Sequence, residues 1–153
     1  MTGGLGSSAT GVESLVRGFF EEAINTGDLS AFDRYCGEDY VWRGADPGGL
    51  GDVRGLENFK NAVAMFFTGF PDLKVEILDM LVEGDRAAVR FRETGTHLGT
   101  FVGFAATGKQ VTFGGMGIYR AEGGKLVEEW FVDDSRAIFE QIGAIPVIRE
   151  ADD

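Results

Sequence analysis

The hydrophobic pattern of this chain changes period once, at Pro71, and that change limits the folds open to it. Before it, GVESLVRGFFEEAINTGD puts apolar residues at 12, 15, 16, 19, 20, 23 and 24, one face of a helix. Thr26-Gly27-Asp28 ends that helix, and Asp28 is placed to cap a short one over LSAFDRYC. GEDYVWRGAD reads as a short strand with Tyr40, Val41 and Trp42. DPGGLGDVRG reads as a loop, because a proline and four glycines sustain neither period. GLENFKNAVAMFFTGF is a second long amphipathic helix, stopped by Gly69 and Pro71. After Pro71 the pattern is that of strands. LKVEILDMLVEGDRAAVRFRETGTHLG gives two, joined at Glu83-Gly84-Asp85, and KQVTFGGMGIYRAEGGKLVEEWFVDD gives two more, joined at Glu122-Gly123-Gly124. Gly114, Gly115 and Gly117 inside the third mark a bulge or bend. SRAIFEQIG closes the pattern as a short helix stopped by Gly143. Helices first and antiparallel strands after define an α+β chain: a curved sheet with helices over one face and one apolar cavity between them.

Composition narrows the function. With 153 residues, 44% of them hydrophobic and 13 of them Phe, the chain is expected to fold as one globular domain. That domain is expected over residues 11–145, after a flexible Gly/Ser-rich arm at 1–10 and before a tail at 146–153. The start lacks the charge and apolar core of a signal peptide, and no apolar run approaches the roughly 20 residues of a membrane span. A single cysteine, Cys36, fits a reducing compartment, so the expected location is the cytoplasm. A formal net charge of −11 without a basic stripe argues against nucleic acid and anionic lipid as partners. One His and one Cys cannot assemble a usual zinc site, and neither phosphate-binding glycine motif is present. No metal and no cofactor are expected.

Particular segments then stand out: NTGDLSAFDRYCGEDYVW, GTHLGTFVGFAATGK, and IYRAEGGKLVEEW with an aspartate and QIG following. In this order the chain resembles the SnoaL-like polyketide cyclases, a branch of the NTF2-like fold, over roughly residues 12 to 144. The resemblance implies a cone closed by helices, no metal or cofactor, and a carboxyl group serving as base and then acid in an intramolecular aldol ring closure. That carboxyl group corresponds to Asp134, four residues beyond Trp130. It also implies a departure: relatives often carry a histidine after the early tyrosine, where this chain has Trp42-Arg43, so Arg43 is expected to hold a substrate oxygen instead. Fold alone does not set the reaction, since the resemblance extends to hydroxylases, epoxide hydrolases, isomerases and many proteins with no known activity.

The residues themselves leave alternatives open. EEWFVDDSRAIFEQIG ends a strand in two aspartates. Either is placed to cap the following helix, or Trp130, Val132 and Asp134 alternate onto one strand face and aim Asp134 into the cavity. The resemblance favours the second for Asp134 and leaves Asp133 to the solvent or the cap. His97, the one imidazole, either assists at an enolate oxygen or bonds a backbone carbonyl. Glu93 shares the face of Val89 and Phe91 and is either a second acid or an ion-pair member, with Arg90 and Arg92 on the opposite face. Tyr40, Trp42, Phe67, Phe113, Met116 and Trp130 line an aromatic pocket or are ordinary core. The reading is a cofactor-independent cyclase acting on a hydrophobic carbonyl compound, with Asp134 and His97 catalytic and Arg43, Glu93 and the six large apolar side chains around the substrate. The alternatives are epoxide opening and binding alone. A homodimer is expected, because the sheet leaves one face uncovered.

Overall fold

The structure, a computed structural model, describes residues 7–44 and 51–147. Helix α1, Ser7–Gly18, runs without a break into a π-wound segment, Phe19–Ile24, in which the Asn25 amide donates to the Phe20 carbonyl at 2.9 Å. The wider winding lets two neighbours in sequence, Phe19 and Phe20, both face inward, and both are buried. Asn25 ties the end of this segment to the sheet by exchanging two hydrogen bonds with the Val75 backbone, at 2.9 and 2.6 Å. Asp28 caps a 3-10 turn, Leu29–Ala31, by accepting from the Ser30 amide at 3.0 Å, and a single turn, α2, Phe32–Tyr35, leads into the sheet.

The sheet has six strands in the order β2-β1-β6-β5-β4-β3: β1 Cys36–Arg43, β2 Val53–Arg54, β3 Lys74–Glu83, β4 Arg86–Thr96, β5 Gln110–Glu122 and β6 Lys125–Asp133. Only β1 and β6 run parallel, so the curved sheet is mixed, and it does not close. Helix α3, Leu56–Gly69, and the α1 segment cover its inner face, and α4, Ser135–Gln141, follows β6. The expected α+β cone is the observed one, with both hairpin turns where the glycines put them: Gly84, Gly123 and Gly124 all have positive φ. Two details differ from the sequence reading. Val53-Arg54, read as loop, pairs with Val41 and Trp42 as a short edge strand. Helix α1 begins at Ser7, within the segment read as an arm; residues 1–6 of that arm and 148–153 of the tail lie outside the described residues.

The core lies between helices and sheet and is built largely of rings. Phe19 packs edge-on to Phe20 and Phe32, at 5.1 and 5.0 Å, and Phe59 does the same to Tyr40, at 4.9 Å. Each such side chain contributes on the order of 1.5–3 kcal/mol by leaving water. The segment after β4 folds back over the end of α3, where the Leu98 and Gly99 amides donate to the Gly69 carbonyl. Glycine is required at 99, because a Cβ there would lie 2.0 Å from the Thr68 carbonyl oxygen.

Among the described residues no helix covers the outer face of the sheet. Met116 pairs across the sheet with Val132, and Ile118 with Trp130 and Ala88. Leu81, next in that row, is 75% exposed and Val132 73%.

Candidate active site

The cone encloses a cavity of about 50 Å³. Its walls are Phe19 and Phe20 from the π-wound segment, Phe59, Val63 and Phe66 from α3, and Trp42, Tyr119 and Phe131 from the sheet. The floor depends on β5. Its inward positions run Val111, Phe113, Gly115, Gly117, Tyr119, so two successive inner positions carry no side chain. The Phe91 ring occupies the space over Gly115 and lies stacked on Phe131, 5.3 Å away at an interplanar angle of 12°. This gives the interior glycines, read as a bend, a second effect: they let rings lie flat where a Cβ would lift them.

Three carboxyl groups enter this aromatic enclosure: Glu93 from β4, and Glu129 and Asp133 from β6. Among the described residues no ion pair involves any of them. Glu93 is 8% exposed, and its Oε2 is buried without a hydrogen-bond partner. Burial, followed by the charges of Asp133 and Glu129, pushes its pKa well above the usual carboxylate range. Burial raises Glu129 to about 8, partly offset by the Tyr119 and Tyr40 hydroxyls acting on it. Neither hydroxyl has a hydrogen-bond partner of ordinary geometry among the described residues. Asp133, half-buried at the end of β6, is raised to about 6, by burial first and by the neighbouring Asp134 second. Among the described residues no three His, Cys, Asp or Glu side chains are grouped so as to hold a metal ion.

One irregularity decides which carboxyl groups these are. Ala121 pairs with Leu126 but Arg120 with Glu128, so Val127 is an extra residue in β6. Leu126 is buried on the inner face, and strict alternation from it would turn Glu128, Trp130, Val132 and Asp134 inward. The bulge inverts that phase, and Glu129, Phe131 and Asp133 face the cavity instead. The expected face of Trp130, Val132 and Asp134 is therefore corrected: it is the outer one. Asp134 is exposed and is the N-cap of α4, its Oδ1 accepting from the Ala137 amide at 3.1 Å.

The other residues singled out in the sequence divide between cavity, core and outer face. Trp42 and Glu93 line the cavity, and Tyr40 stands behind Glu129. The ion pair considered for Glu93 is not formed, since Arg90 pairs with Asp79 and Arg92 with Glu76 on the outer face. Arg43 is also outside. It donates to Glu128 at 2.7 Å and Asp52 at 3.1 Å, and Arg120 donates to the same Glu128 at 2.5 Å. Burial would raise the Glu128 pKa, but the two guanidinium groups outweigh it and hold it below the usual value. Trp130 lies on that face with the Arg43 and Arg86 guanidiniums over its ring, at 6.0 and 5.4 Å. Met116 is exposed, while Phe67 and Phe113 pack into the core away from the cavity lining. His97 is fully buried beside Phe70, its Nδ1 3.0 Å from the Thr107 hydroxyl and its Nε2 without a partner, and it does not reach the cavity. Among the cavity residues, sequence reasoning missed Glu129, Phe19, Phe20, Phe59, Phe66, Tyr119 and Phe131, and it left Asp133 to the solvent or the cap. The adjacent pair Phe19-Phe20 on an apolar helix face was a usable signal; nothing in the residue types around Val127 announces the bulge.

A helix-covered, open, mixed sheet with acids in the cavity between helices and sheet defines an NTF2-like cone. The chain belongs to the SnoaL-like polyketide cyclase family, which matches it over residues 14–142. Among solved structures it is similar to AclR, a candidate hydroxylase from Streptomyces galilaeus (27% identity, TM-score 0.81, 93% of this chain and 87% of that one). It is also similar to a candidate SnoaL-like polyketide cyclase from Jannaschia sp. CCS1 (25%, 0.79, 90% and 95%). A third is IdmH, a candidate polyketide cyclase from Streptomyces antibioticus (26%, 0.74, 86% and 98%). No curated protein matches the sequence.

Proposed function

We propose that this protein is a cofactor-independent enzyme that closes a ring on a hydrophobic carbonyl compound by aldol-type acid–base chemistry, with Asp133 as the base. The observation that carries this reading is the set of three carboxyl groups held without cations in an aromatic cavity, each with its pKa raised by burial. A base works best with a pKa just below the working pH, and an acid with one just above it. Asp133, near 6, is ionised at neutral pH, and Glu129, near 8, keeps its proton. In the step inferred, the Asp133 carboxylate takes a proton alpha to a carbonyl and the C–H electron pair passes into an enolate. The enolate carbon bonds to a second carbonyl carbon, whose oxygen takes the proton back from Asp133.

The cavity size limits what enters. Sites that enclose a drug-sized ligand measure about 300–1,000 Å³, whereas this one is about 50 Å³. The reacting carbonyl end fits within it, and the rest of a larger substrate needs wall residues such as Phe66 to move. Epoxide opening has less support, since it wants an arginine beside a carboxylate pair, and Arg90 and Arg92 face outward. The hydrophobic row on the outer face supports the expected second copy of this chain as the partner that covers it.

The test is exchange of alpha protons for deuterium in a polyketide-type keto ester, followed by NMR in D₂O. Native protein and Asp134→Asn, which keeps a good cap, are expected to exchange within a few-fold of each other. Asp133→Asn is expected to lose about 10²-fold or more. Loss in Asp134→Asn with retention in Asp133→Asn would place the base at Asp134.

A further inference from the structure

We propose that Glu93 is a neutral hydrogen-bond donor that holds the substrate's carbonyl oxygen, facing Asp133 from the other side of the Gly115 strand. The proposal rests on the ring-closing reading for its substrate class, but its geometry stands apart from it. Glu93 pairs with Phe113 and Asp133 with Gly115, so their strands flank β5. The two acids lie on a diagonal across β5, with the Phe113 side chain beside Glu93 and the Phe91 ring over Gly115. Both line the same cavity, and a carbonyl group bound in it lies with its oxygen toward one acid and its alpha hydrogen toward the other.

What surrounds Glu93 decides which form it takes. Asp133 and Glu129 face it from β6 and Tyr119 from β5, while the helical segments present Phe19, Phe20, Phe59 and Phe66. None of these is a cation, and the charges nearby are of its own sign. Its Oε2 is nine-tenths buried and has no hydrogen-bond partner among the described residues. An unpartnered buried polar atom costs about 1–3 kcal/mol, and a bound oxygen acceptor removes that cost. A protonated carboxyl group has one O–H to give, and in a water-poor site such a donor stabilises an enolate oxygen strongly. The Glu93 proton is shared with the enolate oxygen and returns as the carbonyl re-forms, so Glu93 is unchanged over the cycle while Asp133 takes and returns the substrate proton.

The probe is 4-nitrophenol, whose visible absorbance reports its ionised form and whose phenolate oxygen mimics the enolate. Titrated at neutral pH, the native protein is expected to bind the phenolate and deepen the colour. Glu93→Gln, which keeps an N–H donor, is expected to bind within a few-fold of native. Glu93→Leu is expected to weaken binding by about tenfold or more, with thermal unfolding confirming that it folds. No binding to native protein, a loss of colour as the neutral phenol docks on an ionised Glu93, or undiminished binding to Glu93→Leu overturns the proposal. Alpha-proton exchange that depends on Asp133 while phenolate binding ignores Glu93 sinks this inference and leaves the ring-closing reading intact. Phenolate binding that depends on Glu93, with no exchange in any keto ester, does the reverse.

Discussion

Glu129 is the residue at which burial and charge conflict most plainly. Its folded pKa of about 8 lies above the ordinary value of 4.5, so between those limits the folded chain holds a proton that the unfolded chain has released. The stability this contributes is complete below about pH 4.5 and is lost as the pH rises toward 8. Each proton so held changes stability by about 1.4 kcal/mol per pH unit. Chemical denaturation of the native protein from pH 5 to 8 is therefore expected to show stability falling as pH rises, with Asp133 and Glu93 adding to the slope. Glu129→Gln is expected to flatten the curve, and an unchanged slope in that variant would mean that Glu129 is ionised throughout. At this scale the sequence was partly legible. The inward direction of Glu93 followed from alternation along β4, but its lack of a counter-charge did not, because outer-face partners for Arg90 and Arg92 are a matter of pairing between strands. Arg43 could not be placed either, since its partner Glu128 comes from a distant part of the chain and Asp52 from beyond an intervening loop.

The elements were easier to read than their irregularities. Both long helices and both hairpins followed from period and turn chemistry, because those signals are local. The π-wound turn at Phe19–Ile24 was hinted at only by the adjacent pair Phe19-Phe20, and the extra residue at Val127 by no local signal, since it depends on pairing with β5. Gly115 lies between these cases: its type was visible and its task was not. A Cβ there would fall 2.7 Å from the Phe91 ring and 2.8 Å from the Val132 carbonyl oxygen. Gly115→Ala must push Phe91 off its stack with Phe131, so a loss of about 1–3 kcal/mol is expected in denaturant unfolding. A neutral result would mean that the ring shifts freely and that the glycine does not set the cavity floor.

For the whole molecule, the uncovered side of the sheet carries the chief unmet demand. Trp130, Ile118, Ala88 and Leu81 cross four strands in register, with Val132 and Met116 beside them. Rows of this kind are typical of surfaces that associate, and a second copy rotated by two-fold symmetry presents the same patch to it. Sedimentation is expected to report a dimer for the native protein, and Leu81→Lys with Val132→Lys is expected to shift it toward monomer without loss of fold. A monomeric native protein would rule this surface out as a self-association site. The bulge in β6 also decides which acid sits where. Strict alternation from Leu126 ends inward on Asp134, yet the carboxyl group at this strand end that lines the cavity belongs to Asp133. One inserted residue thus exchanges the tasks of two adjacent, chemically identical side chains, leaving one to cap α4 and the other to face the rings.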